Sequence, residues 1–278
     1  PPGYWDLPEL LEIGSPLSQS GLIAKSQREF SDKFGAKGCF FGVNGASGLI
    51  QSAVIAMANP GENILMPRNV HISVIKICAM QNINPIFFDL EFSTITGHYK
   101  PITKIWLENV FKKLNFDENK IAGVILVNPS YHGYAGDLEP LIDCCHQKNL
   151  PVLVDEAHGS YFLFCENLNL PKSALSSNAD LVVNSLHKSL NGLTQTAVLW
   201  YKGNLINEYK LIKSINLLQT TSPSSLLLSS CEESIKDWLN KKSLSKYQKR
   251  ILEAKSIYKK LIQKNIPLIE TQDPLKIV

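Results

Sequence analysis

The sequence predicts an α/β fold with a mainly parallel open sheet and flanking helices. Short apolar runs alternate with segments of helical period, which is typical of βαβ units. The runs are rich in Val, Ile, Leu and Phe and show little polar alternation, as expected for strands buried on both faces. The predicted strands are Cys39–Val43, Asn63–Met66, Pro85–Asp89, Gly123–Val127, Pro151–Asp155, Leu181–Asn184 and Ala197–Tyr201.

Segments with apolar residues at helical spacing separate these strands, and Pro60-Gly61 marks the end of the first of them. From about Asn204 onward only helical patterns remain. The predicted helices are Leu49–Ala58, Val70–Gln81, Thr103–Lys113, Leu138–Lys148, Leu205–Leu218, Ser224–Asn240 and Ser243–Lys264.

The pattern divides the chain into three parts. We expect an N-terminal segment over residues 1–34, one large domain over 35–265, and the start of a smaller C-terminal domain over 266–278. The chain opens on Pro1-Pro2, and Pro274–Val278 reads as a strand without a partner. We therefore expect the chain to be a fragment.

Composition limits the classes of function. The chain has 278 residues, 44% hydrophobic and 19% charged, which indicates a folded core rather than disorder. A net charge of +3 is too small and too evenly spread to favour nucleic acid as a partner. No apolar run approaches the roughly 20 residues that span a bilayer. The six cysteines show no metal-ligand spacing, so we predict no metal site, core positions for most of them, and a reducing, cytoplasmic location.

A lysine and a carboxylate follow two of the predicted strands. One strand runs into Ser185-Leu186-His187-Lys188, and another ends in Asp155-Glu156-Ala157-His158. In pyridoxal phosphate (PLP) enzymes a lysine amine forms an imine with the cofactor aldehyde, and a carboxylate keeps the pyridine nitrogen protonated. A lone lysine after a strand is usually a solvated loop residue. The pairing of Lys188 with Asp155 is what favours a PLP site.

Small residues also follow the first predicted strand, at Asn44-Gly45-Ala46-Ser47-Gly48. They let the backbone approach an anion, the free amides of the helix start would bind it, and Ser47 adds a hydroxyl donor. Alone this is a weak signal, because small residues often form plain strand-to-helix turns. Gly-x-Gly-x-x-Gly and Gly-Lys-Ser/Thr are both absent, which disfavours a nucleotide-binding loop.

Two further segments follow strand ends. His71 could stack on a cofactor ring, although a helix-start histidine in solvent is an equally good interpretation. Asn128-Pro129-Ser130-Tyr131-His132-Gly133 would face the same crevice as Lys188 and Asp155, because ligands of open α/β sheets bind beyond the carboxyl ends of the strands. Its alternative is an ordinary Asn-Pro turn.

The stretch from Val183 to Ala197 resembles the lysine signature of the Orn/Lys/Arg decarboxylase family, a group of fold-type-I PLP enzymes. The family pattern has Ser-x-His-Lys and then small residues around a glutamine, and this chain has Ser185-Leu186-His187-Lys188 and Thr194-Gln195-Thr196-Ala197. The resemblance extends over nearly the whole chain. The similar segments are Asn44–Gly48 (phosphate loop), Arg68–His71 (ring-stacking histidine), Asp155–His158 (pyridine-binding strand end) and Thr220–Pro223 (a segment that reaches the phosphate of the neighbouring subunit).

The resemblance implies individual roles. Lys188 would be the imine lysine, and His187 would lie near the phosphate or the substrate carboxylate. Asp155 would bind the ring nitrogen, with His71 above the ring and Ala157 below it. The residues implied to bind the cofactor are Ala46, Ser47, Gly48, His71, Asp155, Ala157, His158, Ser185, His187, Lys188 and, across a homodimer interface, Thr220 or Thr221.

The resemblance further implies α-decarboxylation of a basic amino acid to its amine, a reaction of polyamine biosynthesis, with arginine slightly favoured over lysine or ornithine. Another fold-type-I activity, such as an aminotransferase or an acyl-CoA-dependent synthase, is one alternative. A truncated homologue that binds PLP without catalysis is the other. Ala46 stands where the family often has Thr or Ser, and Pro2-Gly3-Tyr4 is a shortened form of a family Pro-Gly-His segment.

Overall fold

The computed structural model describes residues 6–7, 10–114, 121–165 and 168–278, so the predicted Pro2-Gly3-Tyr4 segment lies outside the described residues. The strands are β1 (Gly38–Gly42), β2 (Asn63–Pro67), β3 (Asn84–Phe88), β4 (Phe92–Ser93), β5 (His98–Tyr99), β6 (Ile121–Val127), β7 (Val152–Asp155), β8 (Leu181–Ser185) and β9 (Ala197–Tyr201). The helices are α1 (Leu22–Phe34), α2 (Gly45–Met57), α3 (Ile72–Met80), α4 (Lys104–Lys113), α5 (Glu139–His146), α6 (Leu186–Ser189), α7 (Glu208–Leu218), α8 (Ser225–Leu239) and α9 (Lys241–Gln263), with a 3-10 helix over Ser160–Phe164.

The main sheet has seven strands in the order β1-β9-β8-β7-β6-β2-β3. The pairs β2–β3, β2–β6, β6–β7 and β7–β8 are parallel, and only β9 runs antiparallel to its neighbours β1 and β8. The predicted α/β class with a mainly parallel sheet is therefore confirmed. Because β6, β7 and β8 are parallel neighbours, the loops that follow them meet at one edge of the sheet.

Apolar side chains cover both faces of the sheet in two clusters. One contains Phe41, Leu65, Val152 and Trp200, and the other contains Leu49, Ile64, Leu153 and Leu199. Alternate residues of one strand enter opposite clusters, as Val152 and Leu153 do, because successive strand side chains point to opposite faces. This two-sided burial explains why the strand sequences lack polar alternation.

Each of the seven strands predicted for the large domain has a counterpart whose ends differ by two residues at most. The first predicted helix begins four residues earlier than expected, because the small residues 45–48 that form its first turn carry no apolar periodicity. Helix α1 was not predicted. Three buried polar residues, Ser26, Gln27 and Ser31, interrupt its apolar pattern, and the Gln27 side chain accepts a hydrogen bond from the Phe41 amide at 2.8 Å.

The predicted strand over Pro274–Val278 is wrong. The Lys276 amide donates to the Asp273 carbonyl at 3.1 Å, and the Leu275 amide donates to the Asp273 carboxylate at 2.9 Å. Aspartate followed by proline favours such a turn, since proline presets the backbone of the second turn position. The division into a large and a smaller domain stays a prediction.

All six cysteines are buried with free thiols, as expected for most of them. Among the described residues, no helix is both long enough and apolar enough to cross a membrane.

Candidate active site

A cavity of about 170 Å³ opens at the carboxyl ends of β6 and β7. It lies where the parallel sheet and the loops after β1, β2 and β8 converge, which is the usual ligand position in open α/β sheets. Its lining residues are Ala46, Ser47, Ile50, Asn69, His71, Val127, Tyr131, Asp155, Ala157, His158 and Lys188.

Asp155 is the last residue of β7, and its carboxylate is buried in this cavity. Its Oδ1 atom accepts a hydrogen bond of 3.1 Å from the Ala157 amide. Burial raises the pKa of Asp155, and this effect is opposed by that hydrogen bond and by the positive charge of Lys188. A cationic group beside this carboxylate would therefore stabilise its ionised form.

Lys188 lies in α6, the short helix that follows β8 directly. Burial lowers the pKa of Lys188, while the Asp155 carboxylate opposes that change. The Lys188 Nζ atom is 3.1 Å from Nε2 of His158. Burial, followed by the charge of Lys188, lowers the pKa of His158 to about 4, so this histidine is neutral at pH 7 and can accept a hydrogen bond from the ammonium. A lysine with a lowered pKa is a better nucleophile at neutral pH.

His71 is the N-cap residue of α3. Its Nδ1 atom accepts a hydrogen bond of 3.2 Å from the Ser73 amide and lies 2.8 Å from the Ser73 hydroxyl. The cap fixes the imidazole at the cavity wall, so the predicted helix-start position is confirmed, and the role of His71 as a site residue stays a prediction. Stacking on a cofactor ring stays a prediction.

The first turn of α2 forms another wall, through Ala46 and Ser47. The Asn44 side chain donates to the Leu218 carbonyl at 3.2 Å and does not cap the helix. The first-turn amides are thus not satisfied by the N-cap side chain, which suits binding of an anion such as a phosphate.

Five of the predicted site residues do not line the cavity: Gly48, Ser185, His187, Thr220 and Thr221. The buried Ser185 hydroxyl lies 3.1 Å from Nδ1 of His187, behind the cavity wall. Thr220 and Thr221 are exposed and border a separate cavity of about 150 Å³. The helix that follows these threonines, α8, is capped by Ser224, whose hydroxyl accepts from the Leu227 amide at 3.4 Å.

The structure adds Ile50, Asn69, Val127 and Tyr131 to the cavity. Tyr131 packs edge-on against His158, with ring centroids 5.4 Å apart. The Oδ1 atom of Asn69 is buried and has no hydrogen-bond partner among the described residues. Asn69 and Tyr131 lie in segments that the sequence placed at strand ends, but nothing in the sequence shows which side chain of such a segment turns inward.

Together the fold and the cavity define a class, the large domain of a fold-type-I PLP enzyme. The donor set fits this cofactor: a buried carboxylate with one amide partner, a lysine of lowered pKa, uncapped helix amides and an unpartnered Asn69 oxygen.

The chain belongs to the Orn/Lys/Arg decarboxylase family, because the model of that family's major domain matches residues 5–277. It is 36% identical over 228 residues to an arginine decarboxylase of Halalkalibacterium halodurans, an alignment that covers 81% of this chain and 45% of the relative. It is 30% identical over 283 residues to the uncharacterized protein YaaO of Bacillus subtilis, with 98% of this chain and 57% of the relative covered. The chain thus spans about half the length of these curated relatives.

Solved structures with the same fold include lysine decarboxylase A from Pseudomonas aeruginosa, with a TM-score of 0.81 and 19% identity over 93% of this chain and 36% of that chain. The constitutive lysine decarboxylase of E. coli has a TM-score of 0.76 and 20% identity over 91% of this chain and 37% of that chain. At this identity the likeness shows the fold alone.

Proposed function

We propose that this chain is the PLP-binding domain of an enzyme that decarboxylates a basic amino acid, with arginine favoured over lysine and ornithine. The observation that carries the proposal is the convergence of Lys188 and Asp155 on one cavity at the carboxyl edge of the sheet. Family membership supports the reaction class, and relatives named arginine decarboxylase support the choice of arginine.

Lys188 would hold the cofactor covalently, with Asp155 at its ring nitrogen, Ala46 and Ser47 at its phosphate, and His71 and Ala157 on the two sides of its ring. When bound, PLP supplies an electron sink for the electrons of the broken carbon–carboxylate bond. Asp155 maintains the positive charge that makes this sink effective. His158, neutral at pH 7, accepts a hydrogen bond from Lys188 and holds its Nζ atom in the cavity, while burial lowers the pKa of Lys188 and so favours the free amine.

The side chain of the substrate needs an acidic partner. Asp155 is the only carboxylate among the described residues that line the cavity, and it is assigned to the cofactor. We therefore infer that the group that pairs with the guanidinium or ammonium of the substrate is supplied from outside this lining, by a neighbouring subunit or by another segment. The homodimer with shared sites that we also propose would allow a neighbouring subunit to supply that group. Six buried free cysteines support a reducing compartment, and we propose the cytoplasm.

The test is to load the purified protein with PLP and to measure release of CO2 and amine from L-arginine, L-lysine and L-ornithine. We expect arginine to react fastest and a Lys188→Ala variant to be inactive. Transfer of the amino group to a keto acid without CO2 would favour an aminotransferase, the first alternative. PLP binding with neither product would favour the second, a homologue that binds the cofactor without catalysis.

A further inference from the structure

The turn at Asp273–Lys276 is fixed against the loop that follows β6. The Asp273 amide donates to the Gly133 carbonyl at 3.0 Å, and the Gln272 side chain accepts from the Ala135 amide at 3.0 Å. The Tyr161 hydroxyl donates to the Asp273 carboxylate, which is almost fully buried. These three hydrogen bonds hold the C-terminal segment against the loop after β6 and against Tyr161.

This anchoring places Lys276 beside the cavity. Its Nζ atom lies 5.6 Å from the centroid of the Tyr131 ring. Tyr131 in turn lines the cavity and packs against His158, the hydrogen-bond partner of Lys188. Gly133 permits the approach, because its φ is +90° and an added Cβ would lie only 2.8 Å from the Lys276 side chain.

The Lys276 ammonium has no carboxylate of its own. Within the described ranges no ion pair joins it to an acidic side chain. The nearby Asp273 carboxyl is buried, which raises its pKa; the charge of Lys276 opposes that rise, and the Asp273 Oδ1 atom accepts from Tyr161 and the Leu275 amide. The other titratable groups that feel its charge are His132, His158 and Lys188, all basic. Burial and then the charge of Lys276 lower the pKa of Lys188, and Asp155 opposes both effects, so an anion bound near Lys276 would relieve the remaining repulsion.

We propose that Lys276 binds the α-carboxylate of the amino acid substrate. The inference rests on the proposed function and adds the residue that orients the substrate. A basic amino acid has one anionic group, and Lys276 attracts that group while it repels the cationic side chain. The carboxylate of the substrate is thereby directed to the side of the cavity that Tyr131 lines. Once CO2 has left, only a cation remains, and Lys276 then favours release of the amine.

The experiment uses the full chain loaded with PLP and two probes, L-arginine and agmatine, which differ by the carboxylate. Dissociation constants are measured by rapid mixing, from the absorbance change of the bound cofactor that precedes turnover. The proteins are wild type, Lys276→Met, Lys276→Arg and the control Lys264→Met, an exposed lysine at the end of α9. Because Lys276→Met removes a charge-assisted hydrogen bond, we expect this variant to bind arginine about 10- to 100-fold more weakly than wild type. Agmatine binding should be unchanged or tighter, Lys276→Arg should recover most of the arginine affinity, and Lys264→Met should match wild type.

Equal weakening for both probes, or no weakening for arginine, would overturn the proposal. If the Met variant does not fold, judged by its circular dichroism, Lys276→Gln replaces it in the same comparison. Wild type that binds both probes without releasing CO2 would contradict the proposed function, while the comparison of the two affinities would still decide the role of Lys276.

Discussion

Burial acts on Asp155 and Lys188 in opposite directions, since it raises the pKa of the carboxyl and lowers the pKa of the amine. Each group is therefore shifted toward its neutral form, and each is restored by the charge of the other. A protonated ring nitrogen beside Asp155 would supply the neighbouring positive charge that stabilises the ionised form of this buried carboxylate. The electrostatics of the cavity thus favour a cationic ring beside Asp155 and a reactive amine at Lys188.

Asp155→Asn tests whether this carboxylate stabilises a positive charge on the cofactor ring. The amide keeps the shape of the side chain but cannot hold a proton on the ring nitrogen, so we expect PLP to bind and turnover to fall by at least about 100-fold. Cofactor absorbance measures binding, and amine release measures turnover. The matched control is Asp143→Asn, an exposed aspartate on α5, which should behave as wild type. Wild-type turnover in Asp155→Asn would show that this carboxylate does not act on the cofactor.

At the scale of elements, a buried network ties the end of β7 to β8. Glu156 accepts hydrogen bonds from the Ala174 amide at 2.7 Å and from the Asn184 side chain at 3.1 Å. The Asn184 oxygen in turn accepts from the Trp200 indole of β9 at 2.8 Å. Asp155 precedes Glu156 and Lys188 follows Asn184 by four residues, so this network fixes the separation of the two strand ends that carry the site.

The network predicts a pH dependence of stability. Burial raises the pKa of Glu156 from 4.5 to about 8, so the folded protein binds more protons than the unfolded chain between these values. Stability should therefore fall as the pH rises from about 4.5 to 8, by at most about 1.4 kcal/mol per unit from this group. Glu156→Gln is neutral throughout and should flatten the decline.

Urea midpoints at pH 5, 6.5 and 8 measure this effect for wild type, Glu156→Gln and the exposed control Glu253→Gln. The control should keep the wild-type slope, because Glu253 lies on the solvent side of α9 and its ion-pair contact with Lys249 is long, at 4.0 Å. If the slopes of wild type and Glu156→Gln agree, Glu156 does not titrate in this interval.

The sequence predicted these strands well because a strand buried on both faces is a simple pattern of apolar residues. It could not predict α1, whose buried Ser26 and Gln27 find partners only in the folded chain. Lys188 and Asp155 were predictable because each follows a strand directly. Asn69 and Tyr131 were not, since their inward orientation depends on loops, and the turn at Asp273 depends on contacts with residues more than a hundred positions away.

At the scale of the whole molecule, Thr220 and Thr221 are exposed and do not line the cavity of their own chain. In the predicted homodimer these hydroxyls reach the cofactor phosphate of the partner. They have no such role within a single chain. Each site would then combine residues of two subunits, and tight PLP binding would require the dimer.

Mixed subunits test the shared site. A Lys188→Ala chain is combined with a Thr220→Ala/Thr221→Ala chain, and amine release is measured after subunit exchange. In a shared-site dimer one site of the heterodimer carries both defects and the other carries neither, so activity should recover to about half of the wild-type value per heterodimer. Proven exchange without recovery would contradict the shared site and leave the two threonines as surface residues.

The most direct test of the central claim, that this cavity is a PLP site built on Lys188, is to identify the residue that carries the cofactor. The protein is loaded with PLP, reduced with borohydride and digested, and the labelled peptide is identified by mass spectrometry. We expect one stoichiometric label on Lys188, and none on Lys188→Ala under the same conditions. A label on another lysine, or equal labelling of the Lys188→Ala variant, would contradict the account.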